Sequence, residues 1–165
     1  IEYLANKNYG LHLSEAKIAV LVSTVPHIAR LIASPMWGRM FDRMNFFSLR
    51  IAINCCFMLS VFSFFSSSNF WSLGVAAVIF GLSNSGGDVA WSLWVTKFAP
   101  PALVPEYMVL HTFFTGIRGL IAPFIAFSLL GVFPLQTLMW ISAALMLFAT
   151  AQMVCIRGKR KVKEG

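Results

Sequence analysis

The stretch Gly38-Arg39-Met40-Phe41-Asp42-Arg43 places three charged side chains between two long apolar runs. The upstream run covers residues 16–37 and the downstream run covers residues 49–67. At a rise of about 1.5 Å per residue, each run is long enough to cross a hydrocarbon core of about 30 Å. We therefore predict a charged turn over residues 38–43 that joins two antiparallel membrane-spanning helices.

The composition is typical of an integral membrane protein. Apolar residues make up 58% of the 165-residue chain and charged residues only 12%, far fewer than the roughly one quarter of soluble proteins. Five apolar spans are predicted, at residues 16–39, 49–67, 71–96, 106–131 and 135–156. We expect an all-α, polytopic transmembrane bundle in the lipid bilayer, with an extracytoplasmic loop at residues 1–15 and a basic tail at residues 157–165.

The distribution of cations predicts the orientation. Nine of the thirteen Lys and Arg residues lie in or near the first turn, in the connection after the third span, or in the tail. The connections at the opposite end, residues 68–70 and 132–134, contain no charge. The positive-inside rule then places the C-terminus in the cytoplasm, and we expect a bacterial inner membrane. A basic tail directly after a span indicates topology, so no nucleic-acid partner is predicted.

A cytoplasmic C-terminus after five spans would place residues 1–13 outside the cell. We therefore expect one further helix upstream of residue 1, which makes the chain a piece of a longer protein. A short translocated N-terminal tail is the alternative.

Polar side chains follow one face each of the first, third and fourth spans, at helical spacing. Ionisable groups within a membrane are costly, so their positions are the best guide to function. Three of them, on three different spans, lie at similar predicted depth and suggest one shared polar chamber. The second and fifth spans have no internal charge and are predicted to be outer supports. The candidates for a substrate or ion pathway are His27, Arg30, Asn84, Asp88, His111 and Arg118.

Three roles for Asp88 stay open at this point. It could form a structural ion pair with Arg30 or Arg118, handle a substrate or proton directly, or make a gating contact that breaks and reforms. For the two histidines, hydrogen-bonded packing is favoured over proton transfer. For Asn84, an interhelical hydrogen bond is favoured over ligand contact.

The charged stretch resembles the signature loop of the major facilitator superfamily, which reads approximately G-x-L-x-D-R-x-G-R-R. Gly38, Asp42 and Arg43 match in register, and Met40 is a conservative substitute for Leu. Phe41 occupies a position that is usually small in this loop. Asn45 replaces Gly, and Phe46 and Phe47 replace the basic pair. Such a degenerate copy looks like the one in the second half of these transporters, where the carboxylate braces one helix against the other half.

On that resemblance, the five spans correspond to helices eight to twelve, with helix seven lost upstream. The family places its ninth and twelfth helices outside, and these are the two spans without internal charge. The resemblance implies a secondary active transporter that moves a small solute by alternating access, with the N-terminal half of the same protein as partner. The solute could be an anion attracted by Arg30 and Arg118, with Asp88 as the proton-coupling carboxylate.

The alternative is a non-transporting helical membrane protein, either an assembly subunit or a truncated remnant. An enzyme is not predicted, because the sequence has no HExxH, GxSxG, CxxC or paired-carboxylate pattern. No cofactor and no metal are predicted.

Overall fold

The computed structural model describes the backbone of residues 13–163 and the side chains of residues 13–134 and 137–156. Within these residues the chain is helical and has no strand. Each of five helices contains a segment that is long and apolar enough to cross a membrane. The predicted all-α bundle of five spans is therefore confirmed. The helices are α1 (Glu15–Arg43), α2 (Phe46–Phe65), α3 (Phe70–Leu93), α4 (Val104–Leu130) and α5 (Leu135–Lys163).

The charged stretch at residues 38–43 forms the last turns of α1, so the prediction of a turn at this position was wrong. The chain reverses over the next two residues, Met44 and Asn45, whose backbones are extended. The side-chain oxygen of Asn45 accepts a hydrogen bond from the backbone N–H of Phe47 at 2.9 Å and so caps α2.

Packing explains why α1 continues through Gly38. A glycine within a helix costs only about 1 kcal/mol relative to alanine. On either side of it, Trp37 and Phe41 are buried against α2 and α3 in a cluster with Ala33, Leu49, Ile53 and Ala90. Burial of two large aromatic side chains outweighs the glycine.

The remaining connections have local causes as well. Asn69 and Ser72 form a reciprocal capping box at the start of α3. Helix α3 continues as a 3₁₀ turn over Trp94–Lys97, and a second 3₁₀ turn over Pro101–Leu103 leads into α4. Helix α5 continues through Lys163, beyond residue 156 where the apolar span was predicted to end. Most of the predicted loop at residues 1–15, namely residues 1–12, lies outside the described residues.

Helices α1, α2 and α3 form the packed core, and α5 lies against α2. The α2–α5 contact includes a hydrogen bond in which Asn54 Nδ2 donates to Thr150 Oγ1 at 3.1 Å. Although α2 was predicted to be an outer support, its residues Leu49 and Ile53 are fully buried. Helix α4 has no buried residue and contacts mainly the 3₁₀ turns, α5 and the Trp91 side chain of α3.

Small residues bring α1 and α3 together. A Cβ added to Gly81 would collide with the backbone carbonyl of Pro26 and lie 2.7 Å from Ala29 Cβ. A Cβ added to Gly86 would lie 2.8 Å from the Trp37 ring. Such close approach through glycine and alanine is a common basis of helix association in membranes. It fixes how the polar faces of α1 and α3 meet.

Near its start, α1 contains a π-helical segment, Val20–Thr24, directly before Pro26. Proline has no N–H, so it cannot donate to the carbonyl four residues earlier, and the local hydrogen-bond pattern shifts. Within the same turn, His27 Nδ1 lies 2.6 Å from the carbonyl oxygen of Ser23 and donates to it.

Candidate functional site

Arg30 of α1 and Asp88 of α3 form a salt bridge, with Arg30 Nε 2.6 Å from Asp88 Oδ2. By helical rise, Arg30 lies roughly 20 Å and Asp88 about 15 Å from the end of the bundle where α1 ends and α2 begins. We call this end the basic end, because Arg43 and Lys97 lie there. The pair therefore lies well inside the membrane-spanning part of the bundle.

Both side chains of this ion pair remain about half exposed, at 46% for Arg30 and 49% for Asp88. An exposed surface at this depth meets lipid tails, a water-filled cavity or another part of the protein. Lipid tails cannot hydrate a charge, and charged residues within spans therefore face aqueous cavities or partners. The exposed face of the α1–α3 pair is therefore a candidate for a polar pathway.

His27 and Asn84 lie one helical turn from the ion pair, on the same helices. His27 bonds to its own helix through Ser23, and Asn84 Nδ2 donates to the carbonyl oxygen of Phe80 at 2.9 Å. This bond lies within α3, and an interhelical hydrogen bond of Asn84 stays a prediction.

Arg118 and His111 lie away from the ion pair, against two tryptophans. The Arg118 guanidinium lies 5.0 Å from the centroid of the Trp91 ring, and the His111 ring lies 5.3 Å from Trp91 and 5.4 Å from Trp94. Among the described residues, Asp88 pairs with Arg30 and not with Arg118. The predicted single chamber for all three charges is therefore not formed. Helix α4 meets the end of α3, where the cation–π contact with Trp91 holds Arg118.

A second arginine, Arg50 of α2, contacts the same indole, with its guanidinium 5.1 Å from the Trp91 centroid. Sequence reasoning counted Arg50 only as a cation near the first turn. Its position inside the predicted apolar span, at the second residue, was the signal that could have marked it. Trp91 was also missed, although it lies three residues after Asp88.

These side chains surround a cavity of about 460 Å³ between α2, α3, α4 and α5, which we call the arginine cavity. Neither Arg30 nor Asp88 lines it. It is lined by Phe46, Arg50, Trp91, Trp94, His111, Phe114, Thr115, Arg118 and Met153.

The signature residues Gly38, Asp42 and Arg43 lie on the last turns of α1 at the basic end. Lys97 Nζ lies 4.8 Å from the centroid of the Phe41 ring and donates to the backbone carbonyl oxygen of Asp42 at 3.5 Å. Lys97 thus links the end of α1 to the end of α3. The Asp42 carboxylate is exposed and forms no ion pair with any residue that the structure describes.

Five spanning helices define a polytopic membrane protein, and its Arg30–Asp88 ion pair lies inside the spanning region. The chain belongs to the Major Facilitator Superfamily, whose family model matches residues 3–165. No curated protein and no solved structure gave a significant match. Membership in this transporter family confirms the predictions of a membrane transporter rather than an enzyme. Substrate, orientation and the bacterial inner membrane stay predictions.

Proposed function

We propose that the chain is part of a secondary active transporter that moves a small solute by alternating access, with the Arg30–Asp88 pair at its solute pathway. The observation that carries this proposal is the half-exposed salt bridge inside the membrane-spanning region. Partial exposure would let a solute and protons reach both side chains, which full burial would prevent.

The pair supports a simple form of coupling. A single charge left alone at this depth has a high free energy. A solute anion that binds Arg30 would displace Asp88, and a proton on Asp88 would then remove the unpaired negative charge. Solute and proton would therefore bind together, and the empty site would return to the internal salt bridge.

Alternating access requires a second wall. In transporters of this type, two helical bundles rock about a site near the middle of the membrane. We propose that a second bundle of the same protein faces the α1–α3 pathway. The basic end would face the cytoplasm of a bacterial inner membrane, since most of the cations are concentrated there.

Cysteine accessibility tests the pathway without knowledge of the solute. Asn84→Cys, one turn from Asp88, is placed in a background in which Cys55, Cys56 and Cys155 are serine. A membrane-impermeant thiol reagent is applied to vesicles of either orientation. Leu145→Cys on α5 is the control, because this exposed apolar position is expected to face lipid.

Alternating access predicts that Asn84→Cys reacts with reagent added on either side of the membrane, although the vesicles remain impermeable to the reagent. Leu145→Cys should react from neither side. Labelling of Asn84→Cys from one side only, or from neither, would contradict the proposal.

A further inference from the structure

We propose that the arginine cavity binds a phosphate-bearing anion through Arg50 and Arg118. This site is separate from the proposed solute pathway and does not depend on transport. Its ligand chemistry is that of a phosphate oxyanion, carried either by an anionic lipid headgroup or by free phosphate.

The first argument is charge. Arg50 and Arg118 come from different helices and place their guanidinium groups against one indole ring. Among the side chains that the structure describes, no acidic one lines the cavity. Two like charges in surroundings of low polarity repel each other, and an anion between them would offset that repulsion. Arginine also matches phosphate geometry, because its planar guanidinium donates two parallel hydrogen bonds.

The second argument is an unpaired donor. The Trp91 Nε1–H is buried and has no hydrogen-bond partner among the side chains and backbone that the structure describes. A buried donor without an acceptor raises the free energy by about 1–3 kcal/mol. Thr115 and His111 add further polar groups to the same cavity wall. Rotation of the indole toward a bound oxyanion would give the Trp91 donor an acceptor.

The third argument is position. Arg50 lies four residues after the start of α2, about 6 Å from the basic end. This depth is close to that of lipid headgroups. Arg118 starts deeper in the membrane, but long cationic side chains extend toward the interface, and a helical side chain points toward its own N-terminus. The cavity is thus placed where a headgroup phosphate or a phosphate ion from solution can enter.

The experiment uses the purified protein in nanodiscs of phosphatidylcholine. In one arm phosphatidylglycerol is added to the lipid, and in the other inorganic phosphate is added to the buffer. The melting temperature is measured as a function of each probe. Arg50→Gln and Arg118→Gln are compared with Arg39→Gln, a control that removes an exposed cation near the basic end without touching the cavity.

We expect at least one probe to raise the melting temperature of the unmodified protein and of Arg39→Gln. Each cavity variant should weaken the apparent affinity for that probe about tenfold or more, as expected for loss of a charge-assisted hydrogen bond. A response to phosphatidylglycerol alone assigns the site to lipid, and a response to inorganic phosphate assigns it to the free ion.

The proposal is overturned if neither probe stabilises the unmodified protein, or if the cavity variants respond as Arg39→Gln does. Should the glutamine variants fail to fold, Arg50→Lys and Arg118→Lys retain the charge but lose the planar fork. Those variants should bind the probe more weakly while keeping the melting temperature in pure phosphatidylcholine. Unchanged probe affinity in them would likewise overturn the proposal.

Discussion

The hydroxyl oxygens of Ser34 and Ser85 lie 3.0 Å apart across the α1–α3 interface. Ser34 also donates to the carbonyl oxygen of Arg30, one turn earlier on its own helix. Ser34 follows Arg30 by one turn on α1, whereas Ser85 precedes Asp88 by one turn on α3. The salt bridge is thus accompanied by a second polar contact between the same two helices.

The close contact at Gly81 should make Gly81→Ala destabilising. The new methyl group meets the rigid backbone of Pro26, and overpacking of this kind costs about 1–3 kcal/mol. Gly119→Ala on α4 is the matched control, since nothing lies within 4 Å of its added Cβ. Thermal unfolding in detergent should show a lower midpoint for Gly81→Ala and an equal or higher one for Gly119→Ala. Equal midpoints in both variants would mean that α1 and α3 lie farther apart at Gly81 than the structure shows.

The salt bridge can be tested with a double-mutant cycle. Asp88→Asn leaves Arg30 without its partner and should destabilise the protein by about 1–3 kcal/mol. Asp88→Asn combined with Arg30→Gln should recover stability, whereas Asp88→Asn combined with Arg118→Gln should show additive losses. Unfolding free energies of all the variants provide the measurement. Recovery of stability in the variant with Arg118→Gln instead would show that Asp88 pairs with Arg118.

The same set of variants shows whether the Arg30–Asp88 pair has only a structural role or also a role in transport. In the Asn84→Cys background, the variant with both Asp88→Asn and Arg30→Gln should be stable. It should no longer change its labelling when the proton gradient is varied. Full retention of that response would make the pair structural only.

The exposed carboxylate of Asp42 should act in conformational exchange rather than in folding. Asp42→Asn is expected to leave the melting temperature unchanged, because no described residue pairs with this carboxylate. It should slow labelling of Asn84→Cys from one side by about tenfold, the effect of losing a contact of about 1.4 kcal/mol that the carboxylate makes with the proposed second bundle in one conformation only. Asp42→Glu is the control and should retain most of the rate. An unaltered rate in Asp42→Asn would reduce the signature match to coincidence.

The two-residue connection between α1 and α2 depends on its cap. Asn45→Ala removes the acceptor for the Phe47 N–H and should destabilise the protein by about 1 kcal/mol. Asn45→Ser retains a capping oxygen and should stay within a few tenths of a kcal/mol of the original. The denaturation midpoints of the two variants provide the measurement. Equal midpoints would show that Asn45 does not cap α2 and only links the two helices.

Orientation is open to a direct test. Single cysteines at Lys97 and at Asn69 lie at opposite ends of α3. An impermeant reagent should reach Lys97→Cys from the cytoplasm and Asn69→Cys from outside, since the cations gather at the Lys97 end. The reverse pattern would overturn the assigned orientation.

Sequence reasoning could predict the helices because, in a membrane, hydropathy and length almost suffice to define a span. It placed a turn at residues 38–43 because hydropathy cannot distinguish a charged loop from a charged helix end that extends beyond the hydrocarbon core. Nothing in that stretch breaks a helix, and packing of Trp37 and Phe41 carries α1 to Arg43.

The site could be predicted only in part, for a geometric reason. Helical spacing shows which residues share a face, and so Arg30 and Asp88 were correctly marked as candidates for one ion pair. Spacing does not show which neighbour each face meets. The choice between Arg30 and Arg118 depends on how α4 leans against the end of α3, and the role of Arg50 depends on Trp91 of another helix.

The π-helical segment at residues 20–24 sets the direction in which the side chains before it point, relative to the side chains that follow it on α1. Ile18 upstream of it and Leu21 within it pack against Leu73, while downstream Pro26 meets Gly81 on the same partner helix. Each residue of an α-helix advances the side-chain direction by about 100°. Loss of one residue from the segment would restore regular geometry but turn Ile18 away from α3. Homologues that gain or lose residues just before position 20 should therefore do so only in numbers that keep the side chain at position 18 directed toward α3.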